Sequence, residues 1–225
     1  MTGNKRGSRH QIKIIPSILS ADLASLGQQV EAAAAGGADR IQVDVMDGHF
    51  VPGLTFGPDI VAALHRVIPE LPIEAHLMVE RPERVVEAFA QAGATHIIIH
   101  AEATPTLYRT VDEIRHLGCQ PGLAITPATS AEAVRELIPD LDLILIMTVE
   151  PGLGGQPFIE HMTNKIRRVR ELAPELDIEV DGGITAQTAP RAVAAGANLL
   201  VAGSSIYHHP EGVAAGIAEL RDAVG

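Results

Sequence analysis

The sequence predicts a closed (β/α)8 barrel, a TIM barrel in a single domain, on three observations. From Gln11 onward one unit recurs eight times: a short β-branched run, a polar or glycine-bearing turn, then an alanine-rich amphipathic stretch. Glycine falls just after the amphipathic stretches in GGADR (36–40), QAGATH (91–96), HLGCQ (116–120) and AAGANL (194–199), where a left-handed residue ends a helix before the next strand. Proline stands near the first helical turn at Pro58, Pro82 and Pro157, where its missing N–H does no harm. An open doubly wound sheet is the alternative, but no GxGxxG follows the first strand and no linker divides the 225 residues.

Taken in order, residues 1–10 (MTGNKRGSRH) are polar and basic and read as a flexible leader, and 11–225 as the catalytic barrel. The eight strands are expected to end near Pro16, Met46, Met78, His100, Ile125, Met147, Asp181 and Ala202. The helices are expected over Asp22–Gly36, Pro58–Val67, Pro82–Ala92, Thr106–Leu117, Ser130–Leu137, Pro157–Ala173, Thr185–Ala195 and Glu211–Ala223. In the second strand Ile41, Val43 and Val45 alternate with Gln42, Asp44 and Met46, so one side is apolar and the other carries chemistry. The third strand sets Glu74, His76 and Met78 on one side in the same way, and Cys119 falls in the fifth.

Composition narrows the function classes. Hydrophobic residues at 46% and charged residues at 20% suit a soluble chain with a sizeable core. A net charge of −11, with three lysines against fourteen arginines, argues against a broad nucleic-acid surface, so an anionic substrate needs a local site. The lone Cys119 has no pairing partner, which suits a reducing, cytoplasmic setting and a small buried hydrophobe. No apolar run approaches the ~20 residues that span a bilayer, so no membrane partner is expected.

In a barrel every strand's carboxyl end lies on one face, where barrel enzymes keep their sites. Polar residues collect there: Ser17, Ser20, Gln42, Asp44, Glu74, His76, His100, Thr126, Asp181 and Ser204. Asp44 and Asp181 end the apolar runs IQVD and IEVD on strands three steps apart, so they can address opposite faces of one carbon, as an epimerase requires. Capping of the following turns is the other reading. His76 beside two aspartates has the donor types for a divalent metal, and a hydrogen-bonded structural histidine fits the pattern equally well. DGGI (181–184) and AGSSI (202–206) follow the seventh and eighth strands, where bare backbone N–H groups make a phosphate site. PGLGGQPF (151–158) reads as a lid over the mouth, or as a long connection. Met46, Met78 and Met147 close three strands, either as plain core or as a soft apolar wall to the site. Glu74 and Glu179 lie deeper, and Lys13 is their expected partner.

The chain resembles the ribulose-phosphate 3-epimerase family from Lys13 to its end. The resemblance runs through PSILSADLASLG (16–27), DVMDGHFVP (44–52), HLMVE (76–80), HAEAT (100–104), MTVEPGLGGQPF (147–158), EVDGGI (179–184) and AGSSI (202–206). It implies a phosphate-binding barrel that inverts C3 of a ketose phosphate, D-ribulose 5-phosphate to D-xylulose 5-phosphate, with a divalent metal stabilising the enediolate. Position by position, it makes Asp44 and Asp181 the acid–base pair and, with His76, the metal ligands. Ser17, His76, Met46, Met78, Met147, Gly152, Leu153, Gly154 and Gly155 would contact substrate, and Gly183, Ile184, Gly203 and Ser204 would hold its phosphate. It also implies a homo-oligomer.

One position departs from the family: Gln42 stands where the remaining ligand is a histidine. An amide oxygen can coordinate, but it is a neutral, harder donor, so among zinc, iron, manganese, cobalt and magnesium the metal is left open. Gly53 and Leu153 stand where the family usually has asparagine and phenylalanine. The departure leaves two alternatives, an epimerase of another ketose phosphate such as a hexulose 6-phosphate, and a sugar-phosphate-binding protein without turnover. Lysine-based decarboxylase or aldolase chemistry lacks its reagent, since Lys13 begins a strand, Lys165 lies in a helix and no strand ends in lysine.

Overall fold

The computed structural model describes residues 10–225. The leader expected over 1–10 lies outside them except for His10, whose ring meets the Pro174 carbonyl at 2.9 Å. Eight strands form one parallel sheet: β1 (Lys13–Pro16), β2 (Ile41–Met46), β3 (Ile73–Met78), β4 (His96–His100), β5 (Gln120–Ile125), β6 (Leu143–Met147), β7 (Asp177–Asp181) and β8 (Leu199–Ala202). Each ends on the residue the sequence marks. The strand order runs β1-β8-β7-β6-β5-β4-β3-β2, and an isolated bridge between Ser17 and Gln42 joins the two remaining edges. The ring therefore closes through two residues of the expected site.

Alternation divides the apolar residues between two cores. Ile14, Val43, Leu77, Ile99, Ile144, Val180 and Leu200 face outward against the helices, while Ile15, Ile98, Leu145, Leu199 and Val201 fill the barrel interior. Ile97, Ile98 and Ile99 are fully buried on both sides of β4, which is why this strand is an unbroken apolar run.

The helices are α1 (Leu26–Ala35), α2 (Pro58–Val67), α3 (Val86–Gln91), α4 (Leu107–His116), α5 (Met162–Leu172), α6 (Ala189–Ala195), α7 (Ser204–Tyr207) and α8 (Val213–Val224). Between β5 and β6 a 3-10 helix, Ala131–Asp140, takes the helix's place, with Ser130 accepting from Glu132 N and Pro139 inside it. Where the expected helices start early, side chains have captured the backbone of their first turns. Two 3-10 turns, Ile18–Ser20 and Leu23–Ser25, precede α1, capped by Ser17 and Asp22. Thr185 and Thr188 bond each other's first turn before α6, and residues 157–161 lie outside α5 with Phe158 buried. The four-residue α7 has no expected counterpart, since a single turn is too short to show periodicity.

Two further expectations are corrected. Cys119 lies one residue before β5, buried, with its Sγ donating to the Ala94 carbonyl at 3.1 Å. Arg40, not Lys13, is the partner of the deep acids: its Nη1 lies 2.7 Å from Glu74 Oε2 and 3.9 Å from Glu179 Oε2. Arg40 has the same strand parity as Gln42 and Asp44, so it enters the barrel as they do. No helix among the described residues is long and apolar enough to cross a membrane.

Candidate active site

The strand ends surround a cavity of about 490 Å³ at the carboxyl face of the barrel. Its lining includes Ser17, Asp44, Met46, Met78, Met147 and Asp181 from the strands, and Gly152, Leu153, Gly154 and Gly155 from the loop after β6. Gly183, Ile184, Gly203 and Ser204 border it from the loops after β7 and β8. Gln42 and His76 are fully buried and reach the cavity only through the two aspartates they touch.

Asp44 is held on three sides. Ser17 Oγ donates to its Oδ2, and its Oδ1 takes a bond from Gln42 Nε2 at 2.8 Å and meets His76 Nδ1 at 2.8 Å. Asp181 Oδ2 accepts from the same Gln42 nitrogen at 2.9 Å and lies 3.6 Å from His76 Nδ1. Gln42 thus bridges both carboxylates with one NH2 group. Its nitrogen must be the inner atom, because two carboxylate oxygens repel an amide oxygen. Burial, with the Asp44 charge beside it, pushes the Asp181 carboxyl up to about 7. For His76 burial works against the charged ring, but the bond to Asp44 and the charges of Asp44 and Asp181 outweigh it and raise its pKa.

Threonines pin both strand ends, a feature the sequence reading missed. Thr55 Oγ1 donates to the Asp44 carbonyl at 2.6 Å and accepts from Met46 N at 2.9 Å. The fully buried Thr148 donates from Oγ1 to the carbonyls of Asp181, at 2.9 Å, and Gly182, at 2.6 Å. Neither residue ends a strand, so period-two counting does not flag it.

The loops pack without room for side chains. A Cβ on Gly183, whose φ is +66°, would stand 2.4 Å from Phe158 N, so the loops after β6 and β7 meet only because this residue is glycine. Ser205 Oγ donates to the Ile184 carbonyl at 2.8 Å and Thr188 Oγ1 to that of Gly183 at 2.8 Å, tying the β7 loop to its neighbours. In the loop after β6, Gln156 Nε2 donates to the carbonyls of Glu150 and Leu153, at 2.6 and 2.8 Å, and Leu153 is 67% exposed at the tip. Gly53 gives this loop its seat: a Cβ there would lie 2.7 Å from Met46 Sδ and 3.2 Å from the Gly152 carbonyl.

The residues present fit a divalent cation. One donor atom each from Asp44, His76 and Asp181 lies within 4.8 Å of the others. Gln42 Oε1 is buried without a partner, and half a turn of the amide exchanges it with the bridging nitrogen.

The sequence model of the Ribulose-phosphate 3 epimerase family matches residues 13–207. The chain is 49% identical over 215 residues to the ribulose-phosphate 3-epimerase of Bacillus subtilis (strain 168), covering 93% of this chain and 98% of that protein. It is 45% identical over 219 residues to the ribulose-phosphate 3-epimerase of Rhodobacter capsulatus, covering 94% and 95%. Among solved structures, a 3-hexulose-6-phosphate synthase superposes with a TM-score of 0.73 at 18% identity, over 95% of this chain and 100% of that one. KGPDC from Streptococcus mutans gives 0.73 at 15% identity, over 95% and 97%. These two likenesses concern the fold.

Proposed function

The chain belongs to the ribulose-phosphate 3-epimerase family, and on that premise we propose that it interconverts D-ribulose 5-phosphate and D-xylulose 5-phosphate with Asp44 and Asp181 as its acid–base pair. The observation that carries the reading is the single Gln42 amide bonded to both carboxylates at the floor of the cavity. It sets two acids from strands three steps apart around one point, where the C3 carbon of a ketose would lie. One carboxylate removes the C3 proton, made acidic by the C2 ketone, and the other, protonated, delivers a proton to the opposite face. Burial and the neighbouring Asp44 charge favour a proton on Asp181, which suits one carboxylate of the pair starting the cycle as the acid.

Asp44, His76 and Asp181 would hold the divalent metal, with Gln42 Oε1 as a further donor once the amide turns. When bound, it would supply positive charge to the oxygens on C2 and C3. Two carboxylates, an amide oxygen and one imidazole make an oxygen-rich set, so manganese, iron(II) or magnesium suits it better than zinc. Ser17 orients Asp44, and Met46, Met78 and Met147 form the apolar side of the cavity against the reacting carbons. The loop residues Gly152, Leu153, Gly154 and Gly155 complete the sugar site, with that loop as its lid, and His76, buried behind the aspartates, acts on the sugar only through them. Gly183, Ile184, Gly203 and Ser204 receive the phosphate. A homo-oligomer belongs to the same reading, supported by the family, and sedimentation tests it.

A coupled assay with ribulose 5-phosphate, run beside metal analysis of the purified protein, tests the reading. Turnover that chelation abolishes and manganese restores is the expected result. No turnover with any divalent metal would overturn it.

A further inference from the structure

We infer that His100 and Glu102 are positioning residues that fix which nitrogen of His76 faces the two aspartates. The inference rests on reading Asp44, His76 and Asp181 as the reacting centre. His76 and His100 are both fully buried, and their Nε2 atoms lie 2.9 Å apart. Their rings stack at 5.1 Å between centroids with 26° between planes, and Phe50 closes on His100 at 4.9 Å. At that distance the two nitrogens share one proton, and either ring can be its owner.

Glu102 decides the owner. Its Oε1 is occupied by Thr126 N at 2.9 Å and by the Thr129 hydroxyl, and its Oε2 lies 3.4 Å from His100 Nδ1. That contact is long for a hydrogen bond, but His100 Nδ1 is buried and has no other partner. A bare Nδ1 lone pair against the carboxylate would be repelled, so His100 carries its proton on Nδ1 and leaves Nε2 to accept. His76 then donates from Nε2, and its Nδ1, which without a metal donates to Asp44 at 2.8 Å, is the atom that faces both aspartates, with Asp181 at 3.6 Å. The chain Glu102–His100–His76 therefore aims the working nitrogen at the centre from the side opposite the aspartates, as supports of metal-ligating histidines do.

Glu102→Gln reverses the relay without changing shape. The amide oxygen still accepts from Thr126 and Thr129, and its NH2 now donates to His100 Nδ1, which moves the His100 proton to Nε2 and points a donor at His76. Side-chain ¹⁵N spectra of the histidines, with zinc titrated against a chromophoric chelator, read this out without using activity. In the wild type His100 should show a protonated Nδ1 and a bare Nε2, and Glu102→Gln should exchange them and weaken zinc about 10–100-fold. His100→Phe, which keeps the stack and removes the acceptor, should weaken zinc likewise, while His100→Gln, whose amide oxygen accepts from His76, should stay within a few-fold of wild type. With ribulose 5-phosphate the loss should fall on kcat more than on KM. A wild-type His100 protonated on Nε2, or wild-type zinc affinity in Glu102→Gln, would overturn the inference. If His100→Phe does not fold, the isosteric Glu102→Gln decides alone. Absence of turnover in the wild type would instead sink the epimerase reading and leave the spectra and zinc titration to judge the relay.

Discussion

Asp44 and Asp181 share a donor, and that bond connects the chemistry to a single substitution. Replacing either carboxylate by asparagine keeps the volume and removes the base, so Asp44→Asn and Asp181→Asn should each lower kcat by roughly 10²–10⁴-fold. Gln42→His should tighten zinc relative to wild type in a chelator competition, because an imidazole donor replaces an amide that prefers the carboxylates. Unchanged zinc affinity would show that Gln42 does not reach the cation. Much of this site was legible in the residues: strand parity turns Asp44, His76 and Asp181 inward, though parity alone leaves His76 equally readable as a structural histidine. The bridging nitrogen of Gln42 was not, because it depends on the barrel bringing β2 within one side chain of β7. Arg40 was legible and overlooked, since it shares the parity of Gln42 and Asp44.

At the scale of elements, each aspartate's strand end is held by a threonine, and the loops that border the cavity touch through glycine. Thr148→Val is nearly isosteric and removes the hydroxyl from the carbonyls of Gly182 and Asp181, the second of which keeps its bond from Thr148 N at 2.7 Å. It should cost about 1 kcal/mol in urea unfolding and lower kcat as the turn after Asp181 loosens. Gly183→Ala places a methyl 2.4 Å from Phe158 N at a φ that alanine resists, so the loop must shift. KM for the sugar phosphate should rise well before kcat falls, and an unchanged KM would remove this loop from the phosphate site. The strand ends were readable to the residue because the strands are apolar runs closed by turns, while the start of β5 was not, since Cys119 lies just before it. The helix start at Pro58 was readable as well, but those of α1 and α6 were not, because Ser17, Asp22 and Thr188 bind backbone groups that a helix would otherwise use.

For the molecule as a whole, the barrel interior carries charge as well as hydrocarbon. Glu74 and Glu179 are fully buried around one guanidinium, and burial, with Glu74 adjacent, drives the Glu179 carboxyl well above its ordinary range. Arg40→Met removes the cation that faces both acids among the described residues and should cost about 3–5 kcal/mol of stability. At the same depth His96 is buried near Arg40 and Lys13, and burial, then those two charges, lower its pKa from 6.5 to about 3. The unfolded chain therefore binds a proton below about 6.5 that the folded ring refuses until about 3. Stability from this residue is complete above that window and is lost as pH falls through it, by up to ~1.4 kcal/mol per pH unit. Urea unfolding from pH 7 to pH 4 should show a shallower decline in His96→Asn than in wild type, and parallel slopes would remove His96 as a source.

The central claim is that two carboxylates work on opposite faces of one carbon, and proton exchange in D2O tests it most directly. Wild-type protein given ribulose 5-phosphate should yield xylulose 5-phosphate carrying deuterium at C3, read by NMR. Asp44→Asn and Asp181→Asn should each lose inversion. Near-wild-type inversion in both variants, or a product that keeps the original hydrogen at C3, would contradict the account.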